Sequence, residues 1–541
     1  MKTFKVVATP FIFAFTALLL VALVCALALH LGEDLNFDLL NYHYLNGYLY
    51  KHGLLFNDSI ATIQSYIDPI LNFVYYELIS KTTPRNVALV LAASQSISLF
   101  GAFSLSWIFL RDFGKLHRFV ISLVASTVPI ILPIFWSEAG GTMGDVLLSS
   151  FVMASLIIAT FGALITHSSK MKYLALFASG VSLGVVVGFK LTNAVFVIGL
   201  GVAISITLFM AEGVRASLKG LVFLGFGVAV GFAVCYGSLG LALWHAYGNP
   251  VFPYFSNIFK TPYMLSTSTL QDKRWFPTSS VGYLLTPFEY LIRRTQSPGG
   301  THLIGMEIPF RVATFSVIYL LSPVYIYRTI KLRRSLGFRQ LFSILLYVFF
   351  VTSFVVWEIV FSYYRYIAAL EILSPLVLVV MVYSMWEKAP KSSVLPLSMA
   401  VIVCALGLYS LPDSNWGRAP FTSKYFGISS NEFSSYRSGL LVVGHTPEGF
   451  VVPFFPHNDQ VIGLPERIPG VTQLFDKKYL AKLSRAGRNI WYVDQYSPSL
   501  GFVKAHAAFL LSAYHLKVEF STCKSYPSMA YPIAVCRIEK A

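Results

Sequence analysis

Glu33, Asp34 and Asp38, followed at once by Asn41, Tyr42 and His43, form the segment of this chain best suited to proton transfer. A carboxylate placed there can take a proton from a hydroxyl group, and Tyr42 and His43 can bind the molecule that carries it. If Asn36 or Asp38 opens a short amphipathic helix, Asp38, Asn41, Tyr42 and His43 fall within about one turn of each other. Asp38 then has two readings, a general base or an N-cap. The second does not exclude the first, because a capping carboxylate is held in a defined orientation.

Three further segments set charges or glycines in apolar surroundings. Ser137-Glu138-Ala-Gly-Gly-Thr142-Met-Gly144-Asp145 reads as a tight turn with an acid near each end. Its glycines let the backbone come close to a ligand; the alternative is an ordinary hairpin in which Asp145 complements a helix dipole. Lys190, in Gly188-Phe-Lys190-Leu-Thr192-Asn193, interrupts apolar sequence that runs from about 173 to 210. It either snorkels to an interface or meets a phosphate. Arg365, within Tyr363-Tyr364-Arg365-Tyr366 and ahead of Glu371, is either an anchor in an aromatic belt or a bidentate donor to a phosphate or pyrophosphate leaving group.

The elements that must position these residues are membrane spans. The chain is 56% hydrophobic and only 12% charged, whereas a soluble domain carries roughly 25% charged residues, so the class is a polytopic membrane protein. About eleven apolar runs are long enough to cross a bilayer, starting near residues 8, 86, 117, 143, 172, 191, 218, 308, 340, 364 and 393. Residues 69 to 82 are apolar but short, and read as a juxtamembrane helix along the interface.

An odd number of spans puts the termini on opposite sides. With Lys2 and Lys5 cytoplasmic, the inside connections are Arg111 to Arg118, Lys170 to Lys172, Arg215 to Lys219, Arg328 to Arg339 and Lys388 to Lys391, and every one is basic. The formal charge of +16, from 41 Lys and Arg against 25 Asp and Glu, therefore reports orientation and not a nucleic acid partner. Glu33, Asp34, Asp38, Asp58, Asp68, Glu138 and Asp145 all fall on the outer side, as do the segments around Lys190 and Arg365. The first run, from about 8 to 31, ends in Ala26-Leu-Ala28 but exceeds a signal-peptide core, and reads as an uncleaved anchor. Without an organellar transit pattern, the setting expected is a bacterial inner membrane, with the N-terminus cytoplasmic and the C-terminus periplasmic.

Composition changes at about residue 412, where Leu411-Pro-Asp-Ser-Asn-Trp-Gly ends the last span. The expected architecture is an all-α polytopic membrane domain over 1–411 and a small α/β or α+β extracytoplasmic domain over 412–541. Strand-like stretches at 440–443, 489–493, 516–520 and 533–538 and a helical stretch near Lys477 to Arg485 support the second. Cys523 and Cys536 flank a turn there, and are either bonded in an oxidising compartment or two separate thiols. Cys25, Cys235 and Cys404 sit in apolar runs as packing residues. The chain has no P-loop, dinucleotide fingerprint, Ser/His/Asp spacing or Cys/His metal cluster, which removes ATP-driven transport and hydride transfer in their usual forms.

Phe37-Asp38-Leu-Leu-Asn-Tyr42-His43 with Gly47 and Gly53, then Gln64-Ser-Tyr66-Ile-Asp-Pro69, then Gly188-Phe-Lys190-Leu-Thr192, resemble in order and side the GT-C superfamily of polytopic glycosyltransferases, especially its bacterial family-87 and family-39 types. The resemblance covers about residues 8 to 411. A loop from Tyr247-Gly-Asn-Pro250-Val-Phe252-Pro253 to Asp272-Lys-Arg274-Trp-Phe-Pro277 is similar to one in uncharacterised bacterial members, and taken alone reads as an interfacial loop. The resemblance implies inverting transfer of a sugar from a polyprenyl-phosphate donor to a glycan, lipid or protein acceptor on the outer face. It makes Asp38 the base, with Glu33 and Asp34 as competitors. Lys190 and Arg365 become stabilisers of the leaving phosphate, and Tyr42, His43, Glu138, Asp145 and Arg274 contacts to substrate. Members of the family differ in metal dependence; Asp145 is the residue here that would hold a divalent cation, yet the second loop lacks a DxD motif. Two other classes fit a polytopic chain with isolated charges, a lipid-linked sugar flippase or transporter and a non-catalytic partner in envelope polysaccharide assembly.

Overall fold

The computed structural model describes residues 2–540 except 57–59, 269, 297–302, 332–335, 386–393, 413–415, 430, 437–438, 445, 457–459, 464–467, 476, 479–488, 497–510 and 512–515. Asp58, the basic connection Lys388 to Lys391 and most of the helical stretch expected near Lys477 to Arg485 lie outside the described residues. The chain forms two compact units. One comprises Met1–His30, Leu89–Cys235 and Gln271–Trp416, and the other Leu31–Ala88, Tyr236–Leu270 and Gly417–Ala541.

The first unit is helical. Among the described residues of the whole chain, eight helices are long and apolar enough to cross a membrane: Thr9–Leu31, Pro84–Phe109, Asp145–Ile165, Ser169–Phe189, Leu191–Glu212, Val214–Tyr247, Phe338–Val360 and Tyr364–Ser384. The runs expected near 117, 308 and 393 are shorter or more polar: Lys115–Thr127, Thr314–Lys331 with its Pro323, Arg328 and Lys331, and Val394–Tyr409. The chain is a multi-pass membrane protein.

Tyr364–Ser384 is the buried centre of this unit, with 94% of its most apolar stretch enclosed by protein. Asp145–Thr160, Lys115–Thr127, Thr314–Lys331 and Phe338–Val360 pack around it. A helix that is apolar on every side needs such a surround. Ser169–Phe189 and Val214–Tyr247 approach each other through glycines: a Cβ at Gly180 or Gly184 would strike the carbonyls of Leu224 and Val228, and one at Gly227 or Gly231 those of Phe177 and Val181. Small residues permit this close crossing where lipid supplies no hydrophobic drive. The other face of Val214–Tyr247 presents Val222, Phe226, Val234 and Leu241, all more than half exposed, as a hydrocarbon-facing stripe.

The second unit joins the first loop to the tail. Strands β1 (Glu33–Asp34) and β2 (Arg418–Ala419) pair antiparallel, with Glu33 opposite Ala419 and Asp34 opposite Arg418. Beyond them β3 (Leu440–Val443), β4 (Gln460–Gly463), β5 (Ile490–Gln495), β6 (Leu516–Tyr526) and β7 (Ile533–Lys540) form a mixed sheet in the order β4-β3-β5-β7-β6. Strand β3 is buried throughout and is parallel to both neighbours, the pattern of a strand covered on two faces. The four strand-like stretches read from the sequence are all strands, and β4 is an addition. Cys523 and Cys536 are bonded across β6 and β7, at the irregularity between Glu519 and Lys524. Cys25, Cys235 and Cys404 are free. The short apolar stretch after the first loop is the helix Ile70–Lys81.

Candidate active site

In the helical unit, three of the segments singled out above meet. Pro133 starts a short helix that ends at Glu138, and a positive φ of 87° at Gly144 turns the chain so that Asp145 opens the next helix. Lys190 is extended, in the break between Ser169–Phe189 and the turn Leu191–Asn193. Arg365 lies in the turn Tyr364–Ile367 that precedes Ala368–Ser384. Asp145 Oδ1 accepts a hydrogen bond from Lys190 Nζ at 2.5 Å, and its Oδ2 lies 3.3 Å from Arg365 Nε. The Asp145 and Arg365 side chains are 5% and 8% exposed, against 20% for Lys190, so the lysine is the member most open to an incoming group.

Glu138 is buried beside them. Its Oε2 accepts from the amide of Val146 at 2.9 Å. Burial, and then the Asp145 charge, push its carboxyl well above the usual range, while Arg365 and Lys190 oppose the shift. Lys190 and Arg365 thus both face the Asp145 carboxylate, with the Glu138 carboxyl group beside them. Aromatic rings wall it: the Arg365 guanidinium lies 5.4 Å from the Tyr363 ring, 6.0 Å from Tyr366 and 5.5 Å from Trp416, and Lys190 Nζ is 5.0 Å from Tyr366. Desolvated cations held this way suit an anion with several oxygens.

Arg274 has other partners. It binds Asp272 through Nε and Nη2 at 2.8 and 2.6 Å, and Asp272 also accepts from Trp275 Nε1 at 3.0 Å. Trp275 in turn lies 4.8 Å from the Tyr363 ring, whose hydroxyl donates to Glu307 at 2.6 Å. Two buried polar residues not assigned a role from sequence support the acidic turn. Gln95 donates to the carbonyls of Glu138 and Gly141 at 2.9 and 3.2 Å and accepts from the amide of Gly140 at 2.7 Å. Glu371 accepts from the amides of Ile134 and Phe135 at 2.9 and 3.1 Å and from the Tyr364 hydroxyl at 2.8 Å. An isolated Gln or Glu inside an apolar run was the available signal, since a polar group at that depth costs about 2.5–3.5 kcal/mol for a central acid and demands partners.

In the other unit, the three acids of the first loop are used differently. Glu33 accepts from the Thr422 amide and hydroxyl at 2.9 and 2.7 Å and from the Phe426 amide at 3.2 Å. Burial raises its pKa, and the Thr422 and Phe426 donors pull it back. Asp34 accepts from the Asn36 side chain at 2.8 Å on both oxygens. Asn36 Oδ1 accepts from the Leu39 amide at 3.0 Å, so Asn36 caps the turn Leu39–His43, whereas Asp38 makes no capping hydrogen bond. That turn is a π-helix, in which the inserted residue re-aims side chains. Tyr42 packs against His43, their ring centres 4.2 Å apart and their planes tilted by 49°, and His43 Nδ1 meets Asn72 Oδ1 at 2.5 Å. The Asn72 Nδ2 points to the Asp68 carbonyl, so its Oδ1 faces the ring and Nδ1 must carry the proton. Among the described residues no three His, Cys, Asp or Glu side chains are grouped to hold a metal ion.

No family model and no curated protein matches the sequence. Solved structures do. ArnT from Cupriavidus metallidurans, crystallised with undecaprenyl phosphate, aligns over 99% of this chain and 98% of its own with a TM-score of 0.50 at 13% identity. The oligosaccharyltransferase AglB from Archaeoglobus fulgidus, in complex with an inhibitory peptide and a dolichol-phosphate, aligns over 95% of this chain and 74% of its own with a TM-score of 0.44 at 12% identity. An apolar helical array with a tail sheet matches ArnT over nearly the full length of both chains, so this protein shares the fold of ArnT, the GT-C fold.

Proposed function

We propose that the chain is a GT-C type glycosyltransferase, moving one hexosyl or pentosyl group from a polyprenyl-phosphate donor to an acceptor hydroxyl on the outer face, with inversion. The observation that carries this reading is the pair of cations, Lys190 and Arg365, that both face the Asp145 carboxylate in a poorly exposed, aromatic-walled cluster. As the anomeric carbon–oxygen bond breaks, negative charge grows on the departing phosphate. Cations already oriented need no reorganisation to meet it, and one such donor is typically worth about 3–4 kcal/mol of barrier.

Asp38 takes the acceptor proton as the acceptor oxygen bonds to the anomeric carbon, and polyprenyl phosphate leaves from the opposite side. The place of Asp38 supports this assignment, because it leads directly into the turn Leu39–His43 that carries Tyr42 and His43. Glu33 is the weaker candidate, since three donors already occupy its oxygens. Tyr42 and His43 bind the acceptor, and Glu138 keeps Asp145 in place through the Val146 amide. Arg274, in a separate cluster with Asp272 and Glu307, contacts substrate outside the reacting bond. The fold shared with ArnT, which was crystallised with undecaprenyl phosphate, supports a lipid-phosphate donor.

The test is transfer of radiolabelled sugar from a panel of polyprenyl-phosphate donors to envelope lipid extract, comparing wild type with Asp38→Asn at equal folded fraction. Loss of at least about 100-fold in turnover is expected for removal of a general base. Equal turnover would move the base to Asp34 or Glu33, and no transfer from any donor would sink the transferase reading.

A further inference from the structure

We propose that Glu371 and Gln95 are positioning residues, which together hold the backbone from Ile134 to Val146 and through it set the Asp145 carboxylate between Lys190 and Arg365. The inference rests on the proposed transferase reading for its activity readout, and on geometry for the rest. Glu371 is fully buried in the most enclosed segment of its unit, yet two of the three hydrogen bonds to its carboxyl group come from outside that segment. Two go to Ile134 and Phe135, the first free amides of the short helix that ends at Glu138. The third comes from Tyr364, the residue before Arg365. One carboxyl group thus joins the segment bearing the acids to the turn bearing the guanidinium.

Gln95 completes the frame from the other end. Its amide binds the carbonyls of Glu138 and Gly141 and the amide of Gly140, closing the glycine turn on both sides. The Glu138 side chain then binds the Val146 amide, in the first turn of the helix that Asp145 opens. A turn of Gly140, Gly141 and Gly144 has little stiffness of its own, so its shape is imposed by these side chains. The direct consequence is that Asp145 holds its two cations apart and oriented only while Glu371 and Gln95 are in place.

The experiment uses full-length protein in lipid nanodiscs, with Glu371→Gln, Glu371→Leu, Gln95→Leu and, as a control, Ser374→Ala. Ser374, one turn on in the same helix, donates to the Glu371 carbonyl and to Thr314 of the helix Thr314–Lys331, so its hydrogen bonds do not serve the acidic turn. Hydrogen exchange read by mass spectrometry is expected to quicken at least tenfold over 134–146 in Glu371→Leu and Gln95→Leu, with 169–189 unchanged. Glu371→Gln, which keeps an acceptor for the Ile134 and Phe135 amides, and Ser374→Ala should hold wild-type protection. Turnover should fall about 100-fold in the two leucine variants, with binding of undecaprenyl phosphate changed less than about threefold, and recover to within about threefold in Glu371→Gln. Unchanged exchange over 134–146, or equal loss in Glu371→Gln and Glu371→Leu, overturns the proposal. Quickened exchange in the leucine variants with no sugar transfer by wild type would keep the positioning role and reject the transferase reading instead.

Discussion

Glu33 and Asp38 stand five residues apart in one loop and have different surroundings. Glu33 is fully buried and accepts hydrogen bonds from Thr422 and Phe426, so it ties the first loop to the tail. Asp38 follows a cap supplied by Asn36 and precedes a π-turn that carries Tyr42 and His43. Glu33→Gln keeps the size but replaces one accepting oxygen by a donor that meets another donor. A destabilisation of about 1–3 kcal/mol is expected, seen as a lower melting temperature, with turnover per folded molecule within about threefold of wild type. A Glu33→Gln protein that melts like wild type but has no turnover would exchange the roles assigned to these two acids.

At the scale of elements, the helix Ile70–Lys81 is what fixes His43, because it carries Asn72. Asp68 starts that helix, accepting from the Ile70 amide at 2.9 Å, and is itself buried. Burial pushes the Asp68 carboxyl up to about 7 from 3.8, against the pull of the Ile70 amide. The folded state therefore binds this proton more tightly than the unfolded chain. The resulting stabilisation is complete below pH 3.8 and is lost as pH rises through about 7. Asp68→Asn retains a capping side chain without titrating. Its melting temperature relative to wild type should climb by several degrees between pH 5 and pH 7.5, in melts of the two proteins side by side. A difference that stays constant with pH would show that the carboxyl ionises normally.

For the whole molecule, the decisive pattern is charge against membrane side. Basic connections such as Arg111 to Arg118 alternate along the chain with acidic ones such as Glu138 to Asp145, and the tail carries the bonded pair Cys523 and Cys536. Stable disulfides belong to oxidising compartments, and positive loops to the cytoplasm. Alkaline phosphatase fused after Ala541 is accordingly expected to be active, and fused after Gly114 inactive, with green fluorescent protein giving the reverse. The same result at both positions would refute the orientation.

Composition and run length by themselves determined that this is a polytopic membrane chain with strands in its tail, because apolarity over about 20 residues is a local property that no partner can change. The residue types of three short segments also marked where charge is costly, and set Glu138, Asp145, Lys190 and Arg365 on one side of the membrane. Pairing was decided only in three dimensions. Glu371 reaches Ile134 and Phe135 across 237 and 236 residues, and Gln95 reaches Glu138 and Gly141 across 43 and 46. Thr422 meets Glu33 across 389, β4 joins a sheet edge without a strong strand pattern of its own, and the Cys523–Cys536 bond settles a choice left open by spacing. Periodicity and spacing act over a few turns, whereas a buried polar group is satisfied by whatever the fold brings within 3 Å of it, so the partners of each charge belong to the tertiary structure alone.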